Sequence, residues 1–136
     1  MSNNINEAIK FHGHLGPYLI LGLLIGEFSL KEIGAKKHFG LEVEVYGADE
    51  KPKSCLIDGL QLSTGATFGK GNIRKFKGGK IKILIRNLEN NKVLVIYLKP
   101  CLMKELNSLK GHQDSEDFAR ELPKKNIMEL FQIKEQ

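Results

Sequence analysis

A long apolar segment, residues 17–33, constrains the fold of this 136-residue chain more than any other feature. Pro17 suits the first position of a helix, and Gly34 is typical of a helix end. The first turns of the segment are apolar on nearly every side, which indicates a helix buried in a core. Because the apolar stretch is well short of the ~20 residues that span a bilayer, we expect no membrane association.

Two glycines on this helix predict a close helix contact. Gly22 and Gly26 are four residues apart and therefore lie on one face. A glycine inside a helix costs about 1 kcal/mol relative to alanine, so a packing reason is expected. A face of small residues lets another backbone approach closely, either within the fold or across a dimer. We expect the chain to form a homodimer.

Three further segments have strand patterns. Apolar and polar residues alternate over 41–46 and 80–86, as they do in half-buried strands. Residues 93–98 form a continuous apolar run between two lysines, which predicts a central strand. We expect these strands to pair in a mainly antiparallel sheet.

Helix patterns surround the strands. They are predicted over three segments: 4–10, 55–64 and 100–110. Ser54 is the predicted N-cap of the second of these helices, and Gly65 its end. In the polar C-terminal segment, a fourth helix is expected to begin at Asp114 or Ser115, and a fifth to follow Pro123 and contain Phe131.

The order of these segments predicts an α+β protein. We expect one domain over residues 1–136, with a core at about 5–110 and a helical C-terminal tail at about 111–136. In this domain a mainly antiparallel sheet packs against the long buried N-terminal helix and further helices.

Charge and cysteine content narrow the class of partner. The net charge of +5 favours anionic partners. Cys55 and Cys101 are the two cysteines, too few for a disulfide framework. The N-terminus is polar and lacks the apolar core of a secretory signal. We therefore expect a cytoplasmic protein that binds a small anionic ligand.

The segment FHGHLGP, residues 11–17, carries the first candidate site. Histidine is the commonest metal ligand and the side chain that titrates nearest neutrality. His12 and His14 stand on either side of Gly13, directly before the long helix. In a regular strand or helix, side chains two residues apart diverge. Both imidazoles can reach one metal only if Gly13 bends the chain.

The block CLIDGLQLSTGATFGKGN, residues 55–72, carries the second. On a helix, Cys55, Asp58 and Gln61 share a broad face. Cys55 lies in the first turn, where the helix dipole is expected to lower the thiol pKa and favour thiolate. The alternative is an inert buried thiol.

A glycine-punctuated loop ends this block. Thr67, Lys70 and Asn72 can meet an anionic group there, but the spacing does not match a P-loop. The basic run that follows admits RNA binding. Phe76 alone is a poor stacking platform, so a solvated strand edge is the better interpretation and nucleic acid is not the expected partner.

Together the two blocks resemble the FmdE family of proteins associated with formylmethanofuran dehydrogenase. Its members carry an HGHxCPG-like motif near the N-terminus and a later block of the type C-x-x-D-x-x-Q-x-x-T-G-C-T-x-G-K-G-N. The resemblance covers roughly residues 11–98. It implies an α+β core, commonly dimeric, with the motif residues lining a cleft, and a link to one-carbon metabolism of the formylmethanofuran type.

Two departures from the family pattern limit the candidate ligands. Gly16 and Ala66 stand where many members have cysteine. The sequence also has no CxxC pair, so we do not expect the C-terminal zinc finger that some members carry. The remaining metal ligands are His12, His14 and Cys55.

The leading hypothesis is a divalent transition metal site, zinc above all, built from those three ligands. Its expected catalytic residues are Cys55, Asp58 and His14, with Asp58 orienting a ligand or acting as a base. The expected residues that bind substrate or cofactor are Gln61, Thr67, Lys70 and Asn72.

Three alternatives remain open. The protein is a non-catalytic accessory module that binds metal, cofactor or a redox enzyme, or it uses Cys55 as a metal-free nucleophile with a histidine base. RNA binding is the most distant. The sequence does not decide whether the protein is an enzyme.

Overall fold

The structure is a computed structural model that describes the backbone of residues 2–136 and the side chains of residues 4–136. Its helices are α1 (Ser2–His12), α2 (Pro17–Ile33), α3 (Cys55–Thr64), α4 (Pro100–Ser108), α5 (Gly111–Glu121) and α6 (Ile127–Leu130), with a 3-10 turn at Leu122–Lys124. Its strands are β1 (Leu41–Tyr46), β2 (Ile73–Phe76), β3 (Lys82–Asn87), β4 (Val93–Leu98) and β5 (Phe131–Glu135).

The five strands form one mixed sheet in the order β2-β1-β3-β4-β5. The β1–β2 pair is parallel, and the other three pairs are antiparallel. The inward residues of β1 and β3, among them Val43, Val45, Ile83 and Ile85, are almost wholly buried. The predicted α+β class with a mainly antiparallel sheet is confirmed.

Helix α2 is central to the core, as its apolar composition predicts. Every residue from Pro17 to Gly26 is buried. The helix ends at Gly34, whose φ of 64° lies in the left-handed region that glycine favours. No helix within residues 2–136 has the length and apolar content needed to cross a bilayer.

The glycine face of α2 packs against α3 within the same chain. A Cβ on Gly22 would lie only 2.9 Å from the Cα of Gly59, and the converse distance is the same. The hydroxyl of Ser63 donates a hydrogen bond to the carbonyl of Gly22 at 3.1 Å. This contact accounts for the glycines that we expected to serve either the fold or a dimer.

Two local predictions about helix starts are wrong. Ser54 makes no side-chain cap, because the turn that precedes α3 already satisfies the first amides: Cys55 N–H donates to the Pro52 carbonyl at 3.1 Å. Helix α5 begins at Gly111, one turn before the expected caps. Asp114 instead accepts a hydrogen bond from the backbone N–H of Lys110 at 3.1 Å.

The end of the predicted helical tail is also different. Residues 131–135, which we expected to continue a helix, form strand β5 on the outside of β4. Phe131 is 1% exposed and packs in the core, whereas the strand's later residues are mostly exposed. Pairing with β4 and burial of Phe131 outweigh the local helical pattern.

Candidate functional site

Gly13 brings the two histidines of the first motif together. Its φ of +108° turns the chain directly after α1, and its N–H closes the last turn on the Ile9 carbonyl at 2.7 Å. The ring centroids of His12 and His14 are consequently 4.7 Å apart, with the rings tilted by 36°. The bend on which convergence of the two imidazoles depends is present.

His12 is joined to the second motif by a hydrogen bond. Its Nδ1–H donates to Oδ2 of Asp58, on α3, at 2.5 Å. The His12 side chain is 10% exposed and that of Asp58 34%. Because an ionised carboxylate only accepts hydrogen bonds, this contact fixes the proton on Nδ1 and leaves a lone pair on Nε2. That Nε2 is buried and has no hydrogen-bond partner.

A third histidine, His112, lies near the same pair. It belongs to the first turn of α5, and its ring centroid is 6.5 Å from that of His14 in an edge-on arrangement. This residue was not among the predicted site residues. Its signal was weak, a lone histidine in a polar segment, although the chain has only four histidines to place.

These side chains line an open cleft of about 330 Å³, which we call the histidine cleft. Its walls come from the α1–α2 loop, the start of α3 and the start of α5. The lining residues are His12, His14, Leu15, Gly16, Pro17, Tyr18, Pro52, Cys55, Gly111, His112 and Ser115. The cleft therefore joins both sequence motifs and adds a segment from the C-terminal region.

The thiol of Cys55 has a raised pKa. Burial raises it, the negative charge of Asp58 raises it further, and Lys51 partly offsets these effects. The expected lowering by the helix dipole is wrong, because burial and the neighbouring carboxylate outweigh it. Burial likewise raises the pKa of the Tyr18 hydroxyl. Both groups are therefore neutral at pH 7.

The remaining predicted site residues lie at the other end of α3. Helix geometry places the two ends of this ten-residue helix about 14 Å apart. The Gln61 side-chain oxygen accepts from Phe68 N–H at 3.2 Å, and Lys70 Nζ donates to the Gly65 carbonyl at 2.8 Å. These side chains do not line the histidine cleft.

Asn72 and Thr67 also serve the loop that contains them. Asn72 Oδ1 accepts from Thr67 N–H at 3.0 Å, while its Nδ2 donates to the His38 carbonyl at 2.7 Å. The Thr67 hydroxyl accepts from the backbone N–H of Lys70 at 3.2 Å. Their binding of a ligand stays a prediction, and their polar atoms already stabilise the 65–72 loop.

The fold and cleft together define an α+β protein with a histidine-lined cleft beside a buried helix pair. Over residues 11–136 the sequence matches the family described as FmdE, molybdenum formylmethanofuran dehydrogenase operon. The chain belongs to this family.

Two individual proteins are similar to this chain. A crystal structure of an FmdE-like protein of tungsten formylmethanofuran dehydrogenase, from Syntrophus aciditrophicus, shares its fold, with a TM-score of 0.66 at 15% identity, over 99% of this chain and 71% of that one. A probable S-adenosyl-L-methionine-binding protein from Archaeoglobus fulgidus is 28% identical over 93 residues, 68% of this chain. The aligned part is 25% of that relative's length.

Proposed function

We propose that the histidine cleft binds a divalent transition metal ion, zinc in the first instance, and presents it to a small anionic molecule. The observation that carries this proposal is the state of His12. Its Nε2 is buried without a partner while its Nδ1–H is held by Asp58. A metal-binding histidine usually donates its second ring N–H to a carboxylate in this way.

The donor set fits a borderline metal. His12 through Nε2, His14 and Cys55 are the proposed ligands, since imidazole and thiolate both suit zinc. Within residues 4–136 no three such side chains are already arranged as a complete metal cluster. Binding therefore requires adjustment of the exposed His14 ring and loss of the Cys55 proton.

Other residues of the cleft act on the proposed anion. His14 and His112 are exposed at the mouth, where protonated imidazoles attract negative charge. Tyr18, whose raised pKa keeps its hydroxyl protonated, is suited to donate a hydrogen bond. A zinc ion bound by three such ligands supplies a Lewis acid with an open position.

The family supports a role associated with formylmethanofuran dehydrogenase, in one-carbon metabolism. A non-catalytic accessory module is the second candidate. The raised pKa of Cys55 favours it over covalent catalysis by a free thiolate, because the thiol is the poorer nucleophile. Binding of metal without turnover, together with co-purification of a redox enzyme, would distinguish the module from an enzyme.

Elemental analysis of the purified protein tests the metal site. We expect stoichiometric metal in the wild type and its loss in His12→Ala and His14→Ala. His38→Asn is the matched control, because His38 lies outside the cleft and its positive φ of 76° is one that asparagine tolerates. Equal, sub-stoichiometric metal in all four proteins would refute the proposal.

A further inference from the structure

A second cavity lies where β3 begins and β4 ends. Its volume is about 540 Å³, larger than the 330 Å³ of the histidine cleft, and the two share no lining residue. It is lined by Lys53, Gly79, Lys80, Ile81, Tyr97, Leu98, Pro100, Met103, Gln132 and Lys134. We call it the lysine cavity. Its size is within the range of about 300–1,000 Å³ that is usual for small-molecule sites.

The charge of the lining has one sign. Lys53, Lys80 and Lys134 contribute three ammonium groups, and no aspartate or glutamate is among the lining residues. The three lysines come from separate segments: the loop before α3, the loop before β3, and β5. Flexible ammonium groups that approach from several sides, with no carboxylate to neutralise them, favour a ligand with several negative charges, such as a chain of phosphates.

The rest of the lining is apolar or aromatic. Ile81 and Leu98 are 6% and 7% exposed, so they form a floor, and Met103 adds a flexible thioether side chain that adapts to flat rings. Tyr97 presents its ring, with Lys134 Nζ 6.0 Å from the ring centroid. A planar ring that stacks on Tyr97 would bring an attached phosphate chain close to Lys134.

We propose that the lysine cavity binds a nucleotide, with its phosphates at Lys53, Lys80 and Lys134 and its base against Tyr97 and Met103. The amide side chain of Gln132, which also lines the cavity, offers both a donor and an acceptor to the edge of the base. This site is independent of the proposed metal site.

Calorimetric titration tests the proposal with three probes: ATP, inorganic tripolyphosphate and adenosine. We expect ATP to bind more tightly than either part alone. Lys80→Gln and Lys134→Gln should each weaken ATP binding about three- to tenfold, as loss of one exposed charge contact does. Tyr97→Leu should weaken ATP binding but leave tripolyphosphate binding unchanged.

Lys104→Gln is the matched control. Lys104 is an exposed lysine of α4, the helix that contributes Met103, but it lies outside the lining. The proposal is overturned if ATP does not bind saturably, if Lys104→Gln weakens binding as much as Lys80→Gln, or if tripolyphosphate binds as tightly as ATP. His14→Ala should retain ATP binding, and loss of binding in that variant would assign the nucleotide to the histidine cleft instead.

Discussion

The two ends of α3 carry the two halves of one sequence block, and they differ in how their polar side chains are engaged. At the N-terminal end, Asp58 holds His12 and leaves its Nε2 buried without a partner. At the C-terminal end, Gln61, Lys70 and Asn72 each bond to backbone groups of the adjacent loop. A motif that reads as one site is therefore a scaffold at one end and a candidate binding centre at the other.

The largest effect that tests this contrast is expected at Asn72. Its side chain bonds to Thr67 N–H and to the carbonyls of His38 and Leu41. Asn72→Ala should lower the free energy of unfolding by about 2–3 kcal/mol, because it leaves partly buried backbone groups without partners. Urea denaturation measures the loss, and Asn90→Ala, in an exposed turn, is the control. If Asn72→Ala kept full stability but lost metal, the contrast between the two ends would be reversed.

Asp58→Asn tests the opposite end. The amide keeps the size of the side chain but no longer fixes the His12 proton as a carboxylate does. Loss of such a partner typically reduces metal affinity about 10- to 100-fold. Zinc competition titration measures the affinity, and the unfolding free energy should change much less than in Asn72→Ala. An unchanged zinc affinity would show that Asp58 does not support a metal ligand.

Gly16→Cys should strengthen the site. A Cβ at this position would lie 3.5 Å from Nε2 of His14, and the extended backbone there, with φ of −139°, accepts any residue. A thiolate added at this point should tighten zinc binding on the order of tenfold, or about 1.4 kcal/mol. Gly16→Ser controls for bulk. If the cysteine and serine variants bind zinc equally, the metal is not near His14.

The smallest effect concerns the thiol. In a Cys101→Ser background, alkylation of metal-free protein by iodoacetamide should have its pH midpoint above the ~8.5 of an ordinary cysteine, because burial and Asp58 disfavour the thiolate. Adding Asp58→Asn should move the midpoint down, since a neighbouring negative charge is removed. A midpoint below the ordinary value would contradict the environment described here and restore the nucleophile hypothesis.

The parts of the fold that local chemistry determines could be predicted from the sequence. Pro17 and Gly34 bound α2, and alternation identifies β1 and most of β3, because these signals depend on neighbouring residues. Strand β5 could not be found in this way. Residues 127–131 have a helical pattern, and the strand exists because β4 pairs with it far along the chain.

The same limit applies to the site. Gly13 could be identified as the residue on which convergence depends, because the divergence of His12 and His14 in regular structure is local geometry. His112 could not, since only the packing of α5 brings it beside His14. The direction of the Cys55 pKa was predicted wrongly because burial depends on the tertiary structure, whereas the helix dipole can be inferred from position alone.

Anomalous X-ray scattering at the zinc absorption edge, from crystals of the full chain grown with zinc, tests the central claim most directly. We predict a peak in the histidine cleft at about 2.0–2.1 Å from His12 Nε2, with the Asp58 contact to Nδ1 retained. A cleft without a peak in crystals that hold zinc elsewhere, with His12 Nε2 hydrogen-bonded to a protein donor, would contradict it.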